Sequence, residues 1–238
     1  MQHTRYKYLT FLSMLYMTIK LITVVLIYKI ISIGSFSASA STIIMPLWFV
    51  IGDVIAEVYG YKVARQMIWI AIICQFLFAF VCAGMISFAA PLGWSHQEAY
   101  DQVLGKLPRV ALASFLAIVV GAFANAYAIS KWKILLRGKY FWLRSLGASA
   151  VGELIFTVVA YLIEFLGVVS LSQLLHLTII SYVVKLILNP ILVLPSSFTA
   201  FVLKKFEGID AYDIGINFNP FKLSVDDDEL NHNEALEV

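Results

Sequence analysis

The sequence predicts an all-α, polytopic membrane protein: a bundle of six transmembrane helices with both termini in the cytoplasm. Three observations carry this. Hydrophobic residues make up 61% of the 238 residues and charged residues only 13%, with mean hydropathy +0.86, whereas a soluble domain carries about 25% charged residues. The apolar residues fall into six blocks, each long enough to span about 30 Å of hydrocarbon. The Lys and Arg residues gather in alternate connections. A net charge of +2, placed where membrane topology puts it, makes no case for nucleic acid; the bilayer itself is the expected surrounding.

The first block follows Arg5 and Lys7 and runs from Leu9 to Ile33. It is longer than the roughly 7–15 apolar residues of a signal peptide, and Lys20 and Lys29 interrupt it, so it reads as an uncleaved first helix. Ser41–Tyr61 forms the second helix and carries Pro46, Trp48, Asp53 and Glu57. The third runs from Gln66 to Ala90 and ends at Pro91 and Gly93, before a polar loop with His96, Glu98, Asp101 and Lys106. The fourth, Arg109–Ile129, is rich in small residues around Asn125. The fifth, Leu143–Val168, opens with the small-residue run Gly147–Gly152, which permits close helix approach. The sixth, Leu174–Leu203, contains Asn189-Pro190 and Pro195. Cys74 and Cys82 lie about 12 Å apart along one helix, too far for a disulfide, and read as packing residues.

The basic residues set the expected orientation. Arg5, Lys7, Lys62, Arg65, the loop residues Lys131, Lys133, Arg137, Lys139 and Arg144, and Lys204 and Lys205 all fall on one side. Residues 1–205 thus form a transmembrane domain, and 206–238 a cytoplasmic tail with an acidic end, Asp226–Glu229. Solvation of that tail is the first expectation, and partial docking under the bundle the second.

Five charges fall well inside these helices. Counting the rise per residue puts Lys20, Asp53, Glu153 and Lys185 at roughly 15–18 Å depth on four different helices. Glu57 lies one turn from Asp53 on the same face. Each costs about 2.5–3.5 kcal/mol at the bilayer centre, so they must face one another or a polar cavity. One reading is a set of ion pairs that fixes packing. The other is a solute site, for which Asp53, Glu57, Glu153, Lys185, Lys20, Trp48 and Asn189 are the candidate binding residues. Pro190 leaves the carbonyl of Leu186 without its helical donor, and Pro46 does the same for Thr42; transporter sites use such freed carbonyls. An aromatic face beside carboxylates suits a flat heterocycle rich in hydrogen-bond donors. Nothing in the sequence points to a cofactor, a metal cluster or an ATP-binding motif. A membrane enzyme would need a catalytic cluster, and none is spaced for one; a scaffold subunit would use the charges only structurally.

PLWFVIGDVIAEVYGYKVARQMIW (Pro46–Trp69), FWLRSLGASAVGELIFT (Phe141–Thr157) and SYVVKLILNPILVLP (Ser181–Pro195) resemble the signature of the vitamin uptake transporter family, also called the queuosine precursor transporter family. The resemblance spans about Arg5 to Lys205. It implies a six-helix importer in the bacterial inner membrane, with a small-molecule substrate: a 7-deazapurine base such as 7-cyano-7-deazaguanine. Asp53 and Lys185 match the acid and lysine of the family's pattern. Glu153, Phe156 and Val24 depart from it, standing where an amide, an aspartate and an asparagine are usual. The source of energy, an ion gradient or an energising partner, is not implied.

Overall fold

The computed structural model describes residues 6–221, so Arg5 and the acidic Asp226–Glu229 lie outside the described residues. The described chain is helical apart from one hairpin: α1 Leu9–Leu26, β1 Ile30–Ile33, β2 Phe36–Ser39, α2 Ser41–Ile86, α3 Gln97–Leu104, α4 Leu107–Ala117, α5 Phe123–Leu135, α6 Phe141–Phe165 and α7 Leu171–Glu207. A π-helical turn, Ile118–Ala122, joins α4 to α5 into one rod. Among the described residues, five helices are long and apolar enough to cross a membrane: Leu9–Leu26, Ser41–Ile86, Gln97–Leu135, Phe141–Phe165 and Leu171–Glu207.

Polarity is arranged inside out. Ile73, Leu77, Phe80, Ile187, Ile191, Leu194 and Phe198 stand exposed, while Asp53, Glu153, Lys185 and Asn189 are buried. Water disfavours an apolar surface of this extent, but a bilayer accommodates it.

The structure corrects the expected first helix. It stops at Leu26, and Ile30–Ile33 pairs antiparallel with Phe36–Ser39 through a two-residue turn opened by Gly34 at φ +60°. Alternating Ile and Ser favour a pleated strand over a helix, and the turn glycine supplies the positive φ that such hairpins require. This hairpin lies over the end of the bundle where α6 passes into α7; the hydroxyl of Tyr28, just before it, donates to the carbonyl of Glu164.

The expected second and third helices are the two arms of α2, residues 41–59 and 61–86. They meet without a polar loop, at Gly60 (φ 84°, ψ 170°). The arms double back there: Trp48, Phe49 and Gly52 share one small space with Ala64, Met67 and Ile68. Lys62 and Arg65, expected in a loop, are buried.

Residues of the tail hold this turn from outside. Ala211 N–H donates to the carbonyl of Val58. Both carboxylate oxygens of Asp213 accept from the Tyr61 N–H, at 3.0 and 2.9 Å, capping the second arm. Arg65 donates to the carbonyls of Asn217 and Asn219, and the Trp69 indole to that of Pro220. Residues 208–221 therefore pack against the bundle instead of standing in solvent. At the same end, the N–H groups of Lys7 and Tyr8 donate to the Glu207 carboxylate, so both ends of the described chain lie on one side. The Gly34 hairpin lies on the other.

Gln97–Leu104 turns part of the expected polar loop into a short helix. α7 begins with a Ser170–Gln173 capping box and stays helical through Pro190 and Pro195. The interruptions inside the bundle are Gly60 and the π turn, not the prolines.

Gly60 occupies backbone space that is open almost only to glycine, and an added Cβ would stand 2.9 Å from Asp213 Oδ1. Gly60→Ala is expected to cost about 1–3 kcal/mol, seen as a lower midpoint of thermal unfolding in detergent. An unchanged midpoint would mean that the turn and its tail cap contribute nothing.

Candidate solute site in the bundle

α6 carries a polar row through the bundle at four-residue spacing: Ser145, Ser149, Glu153, Thr157 and Tyr161, all buried. Four residues advance slightly more than one turn, so these side chains share one face. α7 opposes it with Ser181, Lys185 and Asn189, and the first arm of α2 with Thr42, Asp53 and Glu57, likewise buried.

Small residues allow the rows to meet. At the crossing of the π turn and α6, an added Cβ on Gly121 would lie 2.7 Å from the Gly152 carbonyl, and one on Gly152 would lie 2.8 Å from Asn125 Cβ. No larger side chain fits there, and the close approach delivers Asn125 to Asp53. π turns are often found at functional positions.

Asp53 is saturated by neutral donors. Asn125 Nδ2 donates to Oδ1 at 2.5 Å, and Ser145 and Ser149 donate to Oδ2 at 2.5 and 3.1 Å. The amide is thereby oriented: its NH2 is bound to the carboxylate, and Oδ1 of Asn125 is left buried without a partner. Glu153 and Asn189 repeat the arrangement. Asn189 Nδ2 donates to Glu153 Oε2 at 3.2 Å, while Glu153 Oε1 and Asn189 Oδ1 have no partner. Two carboxylate–amide pairs thus present three bare acceptor oxygens.

Cations and rings adjoin them. The Lys20 ammonium lies 4.6 Å from the ring centroid of Trp48 and 5.1 Å from that of Phe156, a cation–π placement that partly offsets its burial. Trp48 Nε1 is buried without an acceptor. Lys185 donates to Thr157 Oγ1 at 2.8 Å and lies 3.2 Å from Met45 Sδ. Among the described residues it forms no ion pair with a carboxylate.

The space among Trp48, Phe49, Gly52, Met67 and Asn125 is about 20 Å³, room for about one water; ligand pockets run to about 300–1,000 Å³. A larger groove of about 220 Å³ lies between α1 and the second arm, lined mainly by apolar residues such as Leu9, Met17 and Ile70, and it includes none of the buried acids. Buried polar groups without partners are costly, so the polar centre and not the groove has the chemistry of a specific site. Among the described residues, no three His, Cys, Asp or Glu side chains gather to hold a metal.

Glu57 stands apart from this centre. Arg144 grips it through two nitrogens at 2.8 and 3.1 Å, Lys204 donates to Oε1 at 2.6 Å, and Lys133 bonds its backbone carbonyl at 2.7 Å. Lys133 and Lys204 also bond Asp210 of the tail. Of the seven candidate residues, the structure groups Asp53, Glu153, Asn189, Lys20, Trp48 and Lys185 along the polar rows and places Glu57 in an ion-pair knot at the tail end. Sequence reasoning did not include Asn125, Ser145, Ser149 and Thr157, although the four-residue spacing of the last three from Glu153 is visible in the sequence. Arg144, assigned to a basic loop, belongs to this knot.

Removing one partner of a buried ion pair leaves an uncompensated charge. Arg144→Ala is therefore expected to destabilise the fold by about 3–5 kcal/mol, measured by denaturation in detergent, with Glu57→Gln in the same chain restoring part of the loss. Wild-type stability of Arg144→Ala would rule the knot out as a structural tie. Burial raises the pKa of Asp210, but Lys133 and Lys204 outweigh it and hold it below the usual carboxylate range. Its folded pKa is depressed, so the contribution of Asp210 to tail docking is expected to be fully present above the unfolded carboxylate pKa and to be lost as pH falls through the folded value. Proteolytic accessibility of residues 208–221 against pH, compared between the wild type and Asp210→Asn, isolates this contribution.

The putative vitamin uptake transporter family model matches residues 39–200. A probable queuosine precursor transporter of Bacillus subtilis (strain 168) is 28% identical over 73% of this chain and 76% of its own length. The queuosine precursor transporter of Escherichia coli (strain K12) is 22% identical over 69% and 72% of the two chains. A probable queuosine precursor transporter of Haemophilus influenzae is 24% identical over 68% of each. No solved structure matches. With most of the chain, including the Gly60 turn and both carboxylate–amide pairs, inside the matched region, this multi-pass membrane protein belongs to the vitamin uptake transporter family, a family of transporters and not of enzymes.

Proposed function

We propose that this protein imports a queuosine precursor, a 7-deazapurine base such as 7-cyano-7-deazaguanine, across the bacterial inner membrane. The two arms of α2 each cross the bilayer, making six crossings with both termini in the cytoplasm. The Lys/Arg-rich connections and the tail then lie inside, as positive charge does in cytoplasmic loops. The transmembrane unit spans 1–205, with 206–238 as its cytoplasmic tail.

The observation that carries this reading is the set of unpartnered polar atoms at the bundle centre: acceptors on Asn125, Glu153 and Asn189 and a donor on Trp48. A deazaguanine has ring and amino N–H donors on its edge, one carbonyl acceptor and two flat faces. Its N–H groups match the bare oxygens, its carbonyl matches the Trp48 indole or Lys20, and Trp48 and Phe156 supply aromatic surface. Asp53 acts at one remove, holding Asn125 in the orientation that presents its oxygen. The contracted space is read as an occluded state that widens to admit the base. Glu57 favours the structural reading for itself alone, since its charge is already matched.

The test is uptake of labelled 7-cyano-7-deazaguanine by cells unable to make queuosine, with and without this protein. Accumulation is expected only with it. Asp53→Asn cannot satisfy all three donors and frees the Asn125 amide to turn over. It is expected to reduce uptake about tenfold or more at normal expression, because hydrogen bonds to charged groups contribute about 1.5–3 kcal/mol. Equal uptake without the protein, or a normal rate in Asp53→Asn, would sink the corresponding part of the proposal.

A further inference from the structure

Glu164 has no part in the site described above. It lies one residue from the end of α6, yet it is only 2% exposed. Its Oε2 has no hydrogen-bond partner, and among the described residues it forms no ion pair. The cations whose fields reach it are Lys20, Lys185 and Arg109, and each is bound elsewhere. Arg109 donates to the carbonyls of Ile163 and Leu166. Lys20 faces the rings of Trp48 and Phe156, and Lys185 bonds Thr157. Tyr28, whose hydroxyl is tied to the Glu164 carbonyl, covers it, with the Lys106 ammonium 4.7 Å from the Tyr28 ring centroid.

A hydroxyl ladder leads inward from this point. Tyr161, three residues before Glu164 on the same face of α6, donates to Ser181 Oγ at 3.0 Å. Thr42 Oγ1 lies 3.2 Å from the Tyr161 hydroxyl and donates to Ser181 at 2.9 Å. One turn deeper come Lys185 and Thr157, whose hydroxyl donates to the Glu153 carbonyl at 2.6 Å. No hydrogen bond joins the Glu164 carboxylate to Tyr161, or Ser181 to Lys185; hydroxyl groups both donate and accept, so with water in those gaps the row can pass a proton.

An unpaired carboxylate occluded in a membrane bundle is far cheaper neutral than charged. When the hairpin end opens to water, the same group can ionise. We infer that Glu164 is the proton-binding residue of a proton-coupled importer: at the hairpin end its carboxylate takes a proton from hydronium, leaving water, and on the opposite opening the proton passes along the ladder to water on the tail side. No electron moves and no further reactant is needed. The substrate and the proton travel inward together, and the proton gradient supplies the energy. This rests on the transport reading, and the experiment separates the two.

Purified protein is reconstituted in phosphatidylethanolamine–phosphatidylglycerol vesicles, with labelled 7-cyano-7-deazaguanine as probe. Exchange of label at equal pH reads transport alone; accumulation above the equilibrium level under an acid-outside gradient reads coupling. The wild type is expected to exchange and to accumulate, with accumulation abolished by a protonophore. E164Q is expected to keep exchange and lose accumulation entirely, and E164D to recover part of it. Wild-type exchange with no response to the gradient would overturn proton coupling and leave transport standing. Gradient-driven accumulation by E164Q, or loss of its exchange while it remains folded, would overturn the assignment to Glu164. No exchange by the wild type would overturn the transport reading and this one with it.

Discussion

A charge taken out of water into this bundle must be matched by a counter-charge, by enough hydrogen bonds, or by its own proton, and the structure depends on how each buried ion meets that demand. Glu57 meets it with a bidentate Arg144 and Lys204. Asp53 meets it with three neutral donors. Lys20 uses aromatic faces. Glu153 is only partly matched, and Glu164 has no ion pair among the described residues and an Oε2 without a hydrogen-bond partner. The progression runs from fully matched to partly matched buried charge.

The backbone is shaped to serve those side chains. Gly121 and Gly152 bring two helices within contact of each other's backbone, which places Asn125 on Asp53. Gly60 reverses α2 in a single residue, and the cost of leaving helical peptide groups unpaired is met by Ala211 and Asp213. The tail is thus a working part of the tail end of the bundle: the residues that cap the turn adjoin Asp210, which shares Lys133 and Lys204 with the Glu57 knot.

The two ends close the polar rows in different ways. At the hairpin end the cover includes Tyr28, with Lys106 over its ring, a pair of four-residue strands and backbone carbonyls held by Arg109. At the tail end it is a network of ion pairs and capped helix ends. Between them the space beside Trp48 and Asn125 has room for about one water. A transporter with this construction must loosen one end at a time, and the groups that stabilise each closed end are separate sets of residues.

The sequence by itself determined the class. Its composition and apolar blocks specify a multi-pass helical bundle, and the intramembrane acids marked Asp53 and Glu153 as residues needing partners, because hydrocarbon tolerates no isolated charge. Spacing along one helix was also legible, since the helical period makes Ser145, Ser149 and Glu153 neighbours. What only the tertiary structure decided is which row meets which. A crossing angle and a π turn set whether Asp53 finds a lysine or an asparagine, and both depend on contacts between helices distant in sequence. Local reading placed Lys62 and Arg65 in a solvated loop and 206–221 in solvent as the first expectation, because nothing within either segment reveals the other. The turn at Gly60 is capped by Ala211 and Asp213 of the tail, and the end of α6 at Glu164 is bonded by Tyr28, contacts between segments far apart in the chain.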